Sequence, residues 1–153
     1  MIVRLRSLST FSVLLVLSLQ GRLAGAVCID PATSVSGYVI PLDEELRRAD
    51  AIVVGRVLSA RALREDPADP DGVTADDLLL EVLDSLKGHL NGEIVVRNEN
   101  TSARYPMAIG EKHLLFVSRS GGGLSVDSCG NSIRMPAGKK LVREIRLTLK
   151  KLK

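Results

Sequence analysis

The sequence predicts a mainly β domain, because five short runs rich in Val, Ile and Leu are separated by Gly, Pro and Asn turn signals. A helical pattern flanks these runs at each end, and a glycine interrupts the first run, as the bends of small barrels require. These observations favour a five-stranded OB-fold-like closed barrel with a short N-terminal helix and a C-terminal amphipathic helix. A β-sandwich would give a similar string of strands. The predicted strands are residues 51–60, 78–86, 93–97, 113–118 and 124–128.

The short N-terminal helix is predicted over residues 41–49. Asp43 is placed to cap it, two glutamates fall in its first turn and two arginines fall in its last turn. The first strand follows directly and is rich in branched residues. Gly55 lies in the middle of this strand and predicts a bulge or a sharp bend there.

The chain divides into three predicted parts. Residues 1–26 have a positively charged start, a short apolar run and the small-residue triplet Ala24-Gly25-Ala26, which is the order typical of a secretory signal. Residues 27–137 form the predicted barrel domain, and residues 138–153 form a basic tail. The signal places the mature chain in the periplasm or outside the cell.

Charge is unevenly distributed along the chain. The precursor has a formal net charge of +3, and cleavage after Ala26 removes three arginines and brings it to zero. Residues 27–137 hold 11 Lys and Arg against 17 Asp and Glu, whereas residues 138–153 hold seven against one. An acidic body argues against nucleic acid as a partner, because that affinity depends on neutralising phosphates.

The basic tail is predicted to be an amphipathic helix. Val142, Ile145, Leu149 and Leu152 step by three, four and three, although an alternation centred on Leu147 is also compatible with a strand. The helix has two possible uses, because its apolar stripe can pack on the barrel or the helix can lie on an anionic membrane surface. Its cations are Lys139, Lys140, Arg143, Arg146, Lys150, Lys151 and Lys153.

Two cysteines, Cys28 and Cys129, lie near the two ends of the predicted barrel domain. In an oxidising compartment a bridge between them would stabilise the fold by roughly 4–5 kcal/mol in the chain-entropy model. The alternative is a pair of buried free thiols. A catalytic cysteine is disfavoured, because neither histidine stands in a recognisable local motif.

No motif for catalysis or cofactor binding stands out in the sequence, so we expect neither an enzyme nor a bound cofactor or metal. G-x-S-x-G, H-E-x-x-H, the Walker loop and C-x-x-C are all absent. His89 falls in a turn and His113 begins a strand, where exposed histidines are common. Residues 64–77 form an acidic loop, but the calcium-loop register places Pro67 and Leu78 at ligand positions that need carboxylates.

The order of several short motifs resembles one known family. A cysteine just after a signal is followed by a helix ending in Arg-Arg-Ala-Asp and by the strand AIVVGRVLSA. LLLEVLDSLKG, GEIVVRNE, a Ser102-Ala103 segment, IGEKHLLFVSR and LSVDSCGNS come next. Across roughly residues 28–133 the chain resembles bacterial exported domains similar to tissue inhibitors of metalloproteinases, in the netrin-like OB-fold group.

The resemblance implies a barrel whose N-terminal segment is pinned by disulfides. In the animal inhibitors, the amine and carbonyl of an N-terminal Cys chelate the zinc of the target protease, within a C-x-C pattern. Cys28 matches the second Cys of that pattern, and Cys129 matches its later partner. The first Cys would fall at Ala26 and its partner near Arg104, so one whole bridge is missing.

These features predict a non-catalytic exported domain that binds a protein through its N-terminal segment and adjacent loops. The candidate contact residues are Val27, Cys28 and Ile29, and the resemblance makes a zinc metalloprotease the partner class to test. An active inhibitor that chelates the target's zinc is one alternative. An OB-type ligand binder is another, although the chain is only 3% aromatic and has no Trp for base stacking. A membrane-surface protein that uses the basic tail is the third.

Overall fold

A computed structural model describes residues 28–30, 32–102 and 104–151. The predicted signal over residues 1–26 and the candidate contact Val27 lie outside these described residues. Six strands and two helices are present in the described part of the chain. They are α1 (Leu42–Arg48), β1 (Ala51–Leu63), β2 (Ala75–Lys87), β3 (Glu93–Glu99), β4 (Lys112–Ser120), β5 (Gly123–Val126), β6 (Ile133–Arg134) and α2 (Lys139–Lys151).

The architecture is mainly β, as predicted, with a helix on either side of the strands in the chain. β1 pairs with both β2 and β4, β2 pairs with β3, and β4 pairs with β5 and β6, all antiparallel. β3 and β5 run parallel and pair at Val96 and Leu124. The pairings therefore lead from β1 through β2, β3, β5 and β4 back to β1.

The predicted irregularity at Gly55 is present. The register of β1 on β2 shifts between Val54 and Gly55. One further shift lies before it and one lies after it. A side chain on Gly55 would meet Leu80 and the Glu81 carbonyl oxygen at 3.5 Å. Such shifts let the long strand β1 bend between its two neighbours, because bulges increase local twist.

The two faces of the sheet bury two separate hydrophobic clusters. β4 contributes to both, since Leu115 and Val117 point into one cluster while Leu114 and Phe116 point into the other. This explains why β4 is an unbroken apolar run rather than an alternating one. The first cluster is formed by residues of β1 to β4 and Tyr105, and the second is covered by the two helices.

The basic tail is a helix, α2, and its apolar stripe packs on the sheet. Val142 and Ile145 are buried against Ile52, Leu114 and Phe116 in the second cluster. Burial of this stripe follows from the three-and-four spacing of its apolar residues. Among the described helices, none has both the length and the apolar character to cross a membrane.

Two details of α1 and β2 differ from the predictions. Asp43 does not cap α1, because the N-cap position is held by Pro41 and Asp43 instead pairs with Arg47 one turn later. The predicted loop ends early, since β2 begins at Ala75. Its last two aspartates therefore lie on a strand, where they pair across to arginines of neighbouring segments.

Two differences concern the strands after β3. β5 ends at Val126, shorter than predicted, and the two-residue strand β6 has no counterpart in the prediction. β6 carries one apolar residue, Ile133, which is too little for a sequence pattern to indicate a strand. The turn at Gly121 and Gly122 does join β4 to β5, as predicted, and both glycines have positive φ.

Candidate functional site

The two cysteines form a disulfide, so of the two predicted alternatives the bridge is confirmed and the free thiols are not. Cys28 and Cys129 are bonded, with 5.4 Å between their Cα atoms and a sequence separation of 101. No free cysteine remains among the described residues. The bridge attaches the start of the described chain to the segment between β5 and β6.

The residues after Cys28 fold into a small hairpin, which we call the N-terminal hairpin (residues 28–30 and 32–40). Ile29 and Ser36 form an isolated β-bridge, and the Cys28 carbonyl accepts hydrogen bonds from the amides of Gly37 (2.7 Å) and Tyr38 (3.2 Å). Gly37 has a φ of +88°, a conformation in which an L side chain would be strained. The hairpin is therefore held by its own backbone in addition to the bridge.

The turn of the hairpin is organised by Asp30. Its carboxylate accepts hydrogen bonds from the Ala32 amide at 2.8 Å and from the Thr33 hydroxyl at 2.9 Å. These two bonds favour the ionised form and lower the pKa of Asp30. An Asp that bonds the backbone two residues ahead is a common turn former, and it fixes the loop without any partner from the sheet.

The hairpin exposes apolar side chains although it is tightly held. Ile29, Val35 and Val39 are 57%, 62% and 58% exposed. Cys28 and Ile29, two of the predicted contact residues, thus lie in one rigid element. Val35 and Val39 were not predicted. The sequence places these two β-branched residues outside any predicted strand, but no local pattern indicates that they are exposed.

A buried glutamate holds the hairpin on the fold. The Glu45 carboxylate accepts bonds from the backbone amide (2.6 Å) and the side-chain amide (2.7 Å) of Asn131, whose side chain also donates to the Ile40 carbonyl. Burial raises the pKa of Glu45, although both bonds from Asn131 oppose that rise. A Cβ on Gly130 would stand 2.0 Å from a Glu45 carboxylate oxygen, so a larger residue there would displace that carboxylate from its present position.

An open cleft lies next to the disulfide. Its volume is about 750 Å³, and Ser128, the neighbour of Cys129, is part of its wall. Most of the wall comes from the cleft loop, residues 104–111, which connects β3 to β4. Its other lining residues are Thr101, Ser102, His113 and Arg134.

A chain of hydrogen bonds forms the floor of this cleft. The Tyr105 hydroxyl lies 2.9 Å from His113 Nδ1, and His113 Nε2 lies 3.1 Å from the Glu111 carboxylate. The other Glu111 oxygen pairs with Arg134 at 2.9 Å. Since the carboxylate accepts only, His113 donates from Nε2 and its Nδ1 accepts from the tyrosine. Each of these four side chains thus has a hydrogen-bond or ion-pair partner.

The pKa shifts of these side chains agree with His113 donating from Nε2 and accepting at Nδ1. Burial lowers the pKa of His113, despite the opposing effect of Glu111, and burial raises the pKa of Tyr105 to about 12. The bond from the Ala108 amide lowers the pKa of Glu111. At neutral pH the histidine is therefore neutral, the tyrosine keeps its proton and the glutamate is ionised.

The expectation of an exposed strand-edge histidine is wrong for His113, which is only 1% exposed. It is the second residue of β4, and residues 113–117 of that strand are all buried because both of its faces are covered. His89 is exposed in its turn, as expected. Within the described residues no group of three or more His, Cys, Asp or Glu is arranged to hold a metal ion.

Comparison with known proteins finds no family model that matches this chain and no curated protein similar to it. The functional assignment therefore stands on the geometry of the hairpin and the cleft, together with the motifs of the sequence.

Proposed function

We propose that the chain is an exported, non-catalytic protein-interaction domain, resembling tissue inhibitors of metalloproteinases, that binds its partner through the N-terminal hairpin and the cleft loop. The observation that carries the proposal is the disulfide-pinned hairpin that exposes Ile29, Val35 and Val39. Apolar side chains on a rigid exposed element gain from being covered by a partner.

Rigidity of the hairpin favours binding. A loop that is ordered before association loses little conformational freedom when the partner docks, so more of the contact energy appears as affinity. The Cys28–Cys129 bridge, the Ile29–Ser36 bridge and the anchor at Glu45 all restrict the hairpin before any partner is present.

An OB-fold-like closed barrel is part of the same proposal. The return of the pairings to β1 and the parallel contact between β3 and β5 support it. The disulfide joins the hairpin to the segment that holds Ser128, a lining residue of the cleft. The long, bent strands β1 and β2 are also expected, because closure of a small barrel needs strongly curved strands.

Export is proposed for the same chain. Disulfides persist in oxidising compartments, so the bridge supports an exported location, and the order of charge, apolar run and small residues over 1–26 supports a signal that directs it there. Periplasmic and extracellular destinations both fit.

The missing first Cys of the family pattern favours plain protein binding over zinc chelation. In the inhibitors that the chain resembles, that Cys supplies the chelating amine and carbonyl, whereas its place in this sequence falls at Ala26 and Cys28 matches the second Cys. In the cleft floor, the side chains from Tyr105 to Arg134 are all bonded to one another, which supports a non-catalytic cleft. Arg97 of β3 and Arg104 of the cleft loop pair with carboxylates, which disfavours an OB-type nucleic-acid surface.

Site-specific photo-crosslinking tests the proposal. A photoreactive amino acid at Val39 of the disulfide-bonded chain, exposed to the exported fraction of the producing cell, is expected to trap a discrete protein. The same group at Val95, which is 48% exposed on β3, is the matched control and should not trap it. Val35→Asp, added to the Val39 probe, should reduce the adduct at least tenfold. Adducts that form equally at both positions, or at neither, would contradict the proposal.

A panel of zinc metalloproteases separates the inhibitor alternative from plain binding. We expect association with a panel member to leave its peptidase activity intact, because the Cys that would supply the chelating amine and carbonyl is missing from this sequence. Loss of peptidase activity at micromolar excess of the chain would instead establish the inhibitor. Full activity of every panel member in that assay removes the inhibitor alternative.

A further inference from the structure

The outer face of α2 is a strongly basic surface, distinct from the N-terminal hairpin and the cleft. Its 13 residues contain six Lys or Arg and one acid, Glu144. Leu147 lies among the cations and is 61% exposed. The cations are Lys139, Lys140, Arg143, Arg146, Lys150 and Lys151.

Packing of the helix fixes which face meets the solvent. Val142 and Ile145 are buried in the second cluster, so the apolar stripe is occupied and the basic face points outward. A helix of this length is about 20 Å long, which presents the cations as one elongated strip. The strip is held in place because the buried side of the helix packs on the sheet.

The charge of the strip is not neutralised by the rest of the fold. Of the six cations, Arg146 alone forms an ion pair within the described part of the chain, and its partner is Asp84 of β2. Acids of the body pair with other cations, as Glu65 of the loop before β2 does with Arg97. Charge is uneven along the chain, since residues 27–137 hold 17 acids against 11 Lys and Arg, whereas α2 holds one acid against six. A strongly basic element on an acidic body is typical of a surface that orients a molecule on a charged partner.

We propose that this strip docks on anionic lipid headgroups, with Leu147 reaching into the interface. Each Lys or Arg near an anionic bilayer adds attraction, and an exposed leucine at the middle of the strip gains further from the apolar boundary of the headgroups. A nucleic acid offers no apolar boundary to Leu147, and its long polyanion would also meet the acidic body. The bilayer meets only the one face that is basic.

Vesicle binding tests this assignment. The probe is the disulfide-bonded exported chain, its first residue read by intact mass, sedimented with equimolar phosphatidylglycerol and phosphatidylcholine vesicles. We expect binding that is absent with pure phosphatidylcholine and is lost at about 0.5 M salt, where the screening length falls to a few ångströms. The triple variant Lys140→Gln, Arg143→Gln and Lys151→Gln keeps good helix formers and should bind about a hundredfold more weakly.

The matched control removes three exposed cations from other elements, as Arg61→Gln, Arg64→Gln and Arg119→Gln. It changes the net charge equally and should bind vesicles like the unaltered chain. Equal losses in the two triple variants would overturn the assignment, since net charge rather than the strip would then drive binding. No vesicle binding, or α2-dependent binding of an oligonucleotide without vesicle binding, would overturn it as well.

A fluorescence probe at the centre of the strip gives a second readout. The chain has no Trp, so Leu147→Trp introduces a unique reporter. Its emission is expected to shift to the blue on phosphatidylglycerol vesicles, whereas Val95→Trp on β3 should not shift. Unshifted emission from the Leu147→Trp variant on vesicles that bind it would contradict insertion at this position.

Discussion

At the scale of single residues, Lys87 joins the end of α1 to the end of β2. Its ammonium donates to the carbonyls of Leu46 (2.7 Å), Arg47 (3.0 Å) and Ala49 (2.6 Å), which are the acceptors left open where the helix ends. Its neighbour Gly88 has a φ of +76°, and a Cβ there would stand 2.7 Å from the Asp50 carbonyl oxygen. Lys87 and Gly88 together thus allow the end of β2 to lie directly against the connection from α1 to β1.

Replacement of Lys87 by Met is expected to lower the free energy of unfolding by about 2–3 kcal/mol. The change keeps the apolar stem but removes a charged donor to three helix-end carbonyls. Chemical denaturation at pH 7 measures it. The matched control is Lys112→Met, which removes an exposed lysine of β4 and should change stability by less than about 0.5 kcal/mol. Equal losses in the two variants would contradict the capping role.

At the scale of elements, the cleft loop is tied to β4 by buried polar contacts. The side chain of Asn98 donates to the Tyr105 carbonyl at 3.0 Å, and the Tyr105 ring meets the His113 ring edge-on at 5.5 Å between centroids. With the tyrosine hydroxyl on His113, the loop is fixed both at its backbone and at its side chain. Protonation of His113 at Nδ1 would remove the acceptor of the tyrosine hydroxyl's hydrogen bond.

Acidification is expected to weaken the fold through His113. Because burial lowers its pKa in the folded chain, the unfolded chain binds more protons below about pH 6.5, and stability falls as the pH falls from that value. The contribution is at most about 1.4 kcal/mol per pH unit. Denaturation of the unaltered chain and of His113→Gln between pH 7 and 5 should show a smaller pH slope for the variant.

The exposed His89 supplies the control for this pH experiment. His89→Gln also removes one histidine, but from a turn outside the buried network, and should keep the slope of the unaltered chain. If His113→Gln kept the full slope as well, the pH dependence would arise from the carboxylates rather than from the cleft floor.

At the scale of the whole molecule, the Cys28–Cys129 bridge joins the N-terminal hairpin to the segment that precedes β6 and α2. A cross-link over about 100 residues removes much of the freedom of the unfolded chain. Within the folded chain the Ile40 amide bonds the Cys129 carbonyl at 2.9 Å, so the two segments also touch through their backbones.

Loss of the bridge is expected to lower the free energy of unfolding by about 4–5 kcal/mol. The double variant Cys28→Ser and Cys129→Ser, compared with the oxidised chain by chemical denaturation, measures this loss. Reduction of the unaltered chain supplies the matched control and should give the same decrease. A loss below about 1 kcal/mol would show that the backbone contacts of the hairpin suffice without the cross-link.

Much of the fold could be predicted because its patterns are local. The spacing of Val142 and Ile145 indicates a helix, and the turn residues separate the strands. The depth of His113 could not be predicted, because burial on both faces of β4 depends on which helices cover it. β6 and the role of Lys87 depend on contacts between distant segments, which no local pattern contains.

The candidate site was only partly predictable for the same reason. The pairing of Cys28 with Cys129 followed from their number and an oxidising compartment, since two cysteines allow a single pairing. The exposure of Val35 and Val39 could not be predicted, because it depends on how the hairpin lies on the rest of the fold. The cleft needs the cleft loop and β6 side by side, which only the folded chain brings together.

The position of the bridge also decides how the chain responds to a protease. A single cut anywhere between Cys28 and Cys129 leaves the two fragments covalently joined until a reductant is added. A cut between Cys129 and the start of α2 releases the helix, which lies outside the covalent ring. That release would uncover Ile52, Leu114 and Phe116, so the fragment that loses α2 would be the one prone to aggregate.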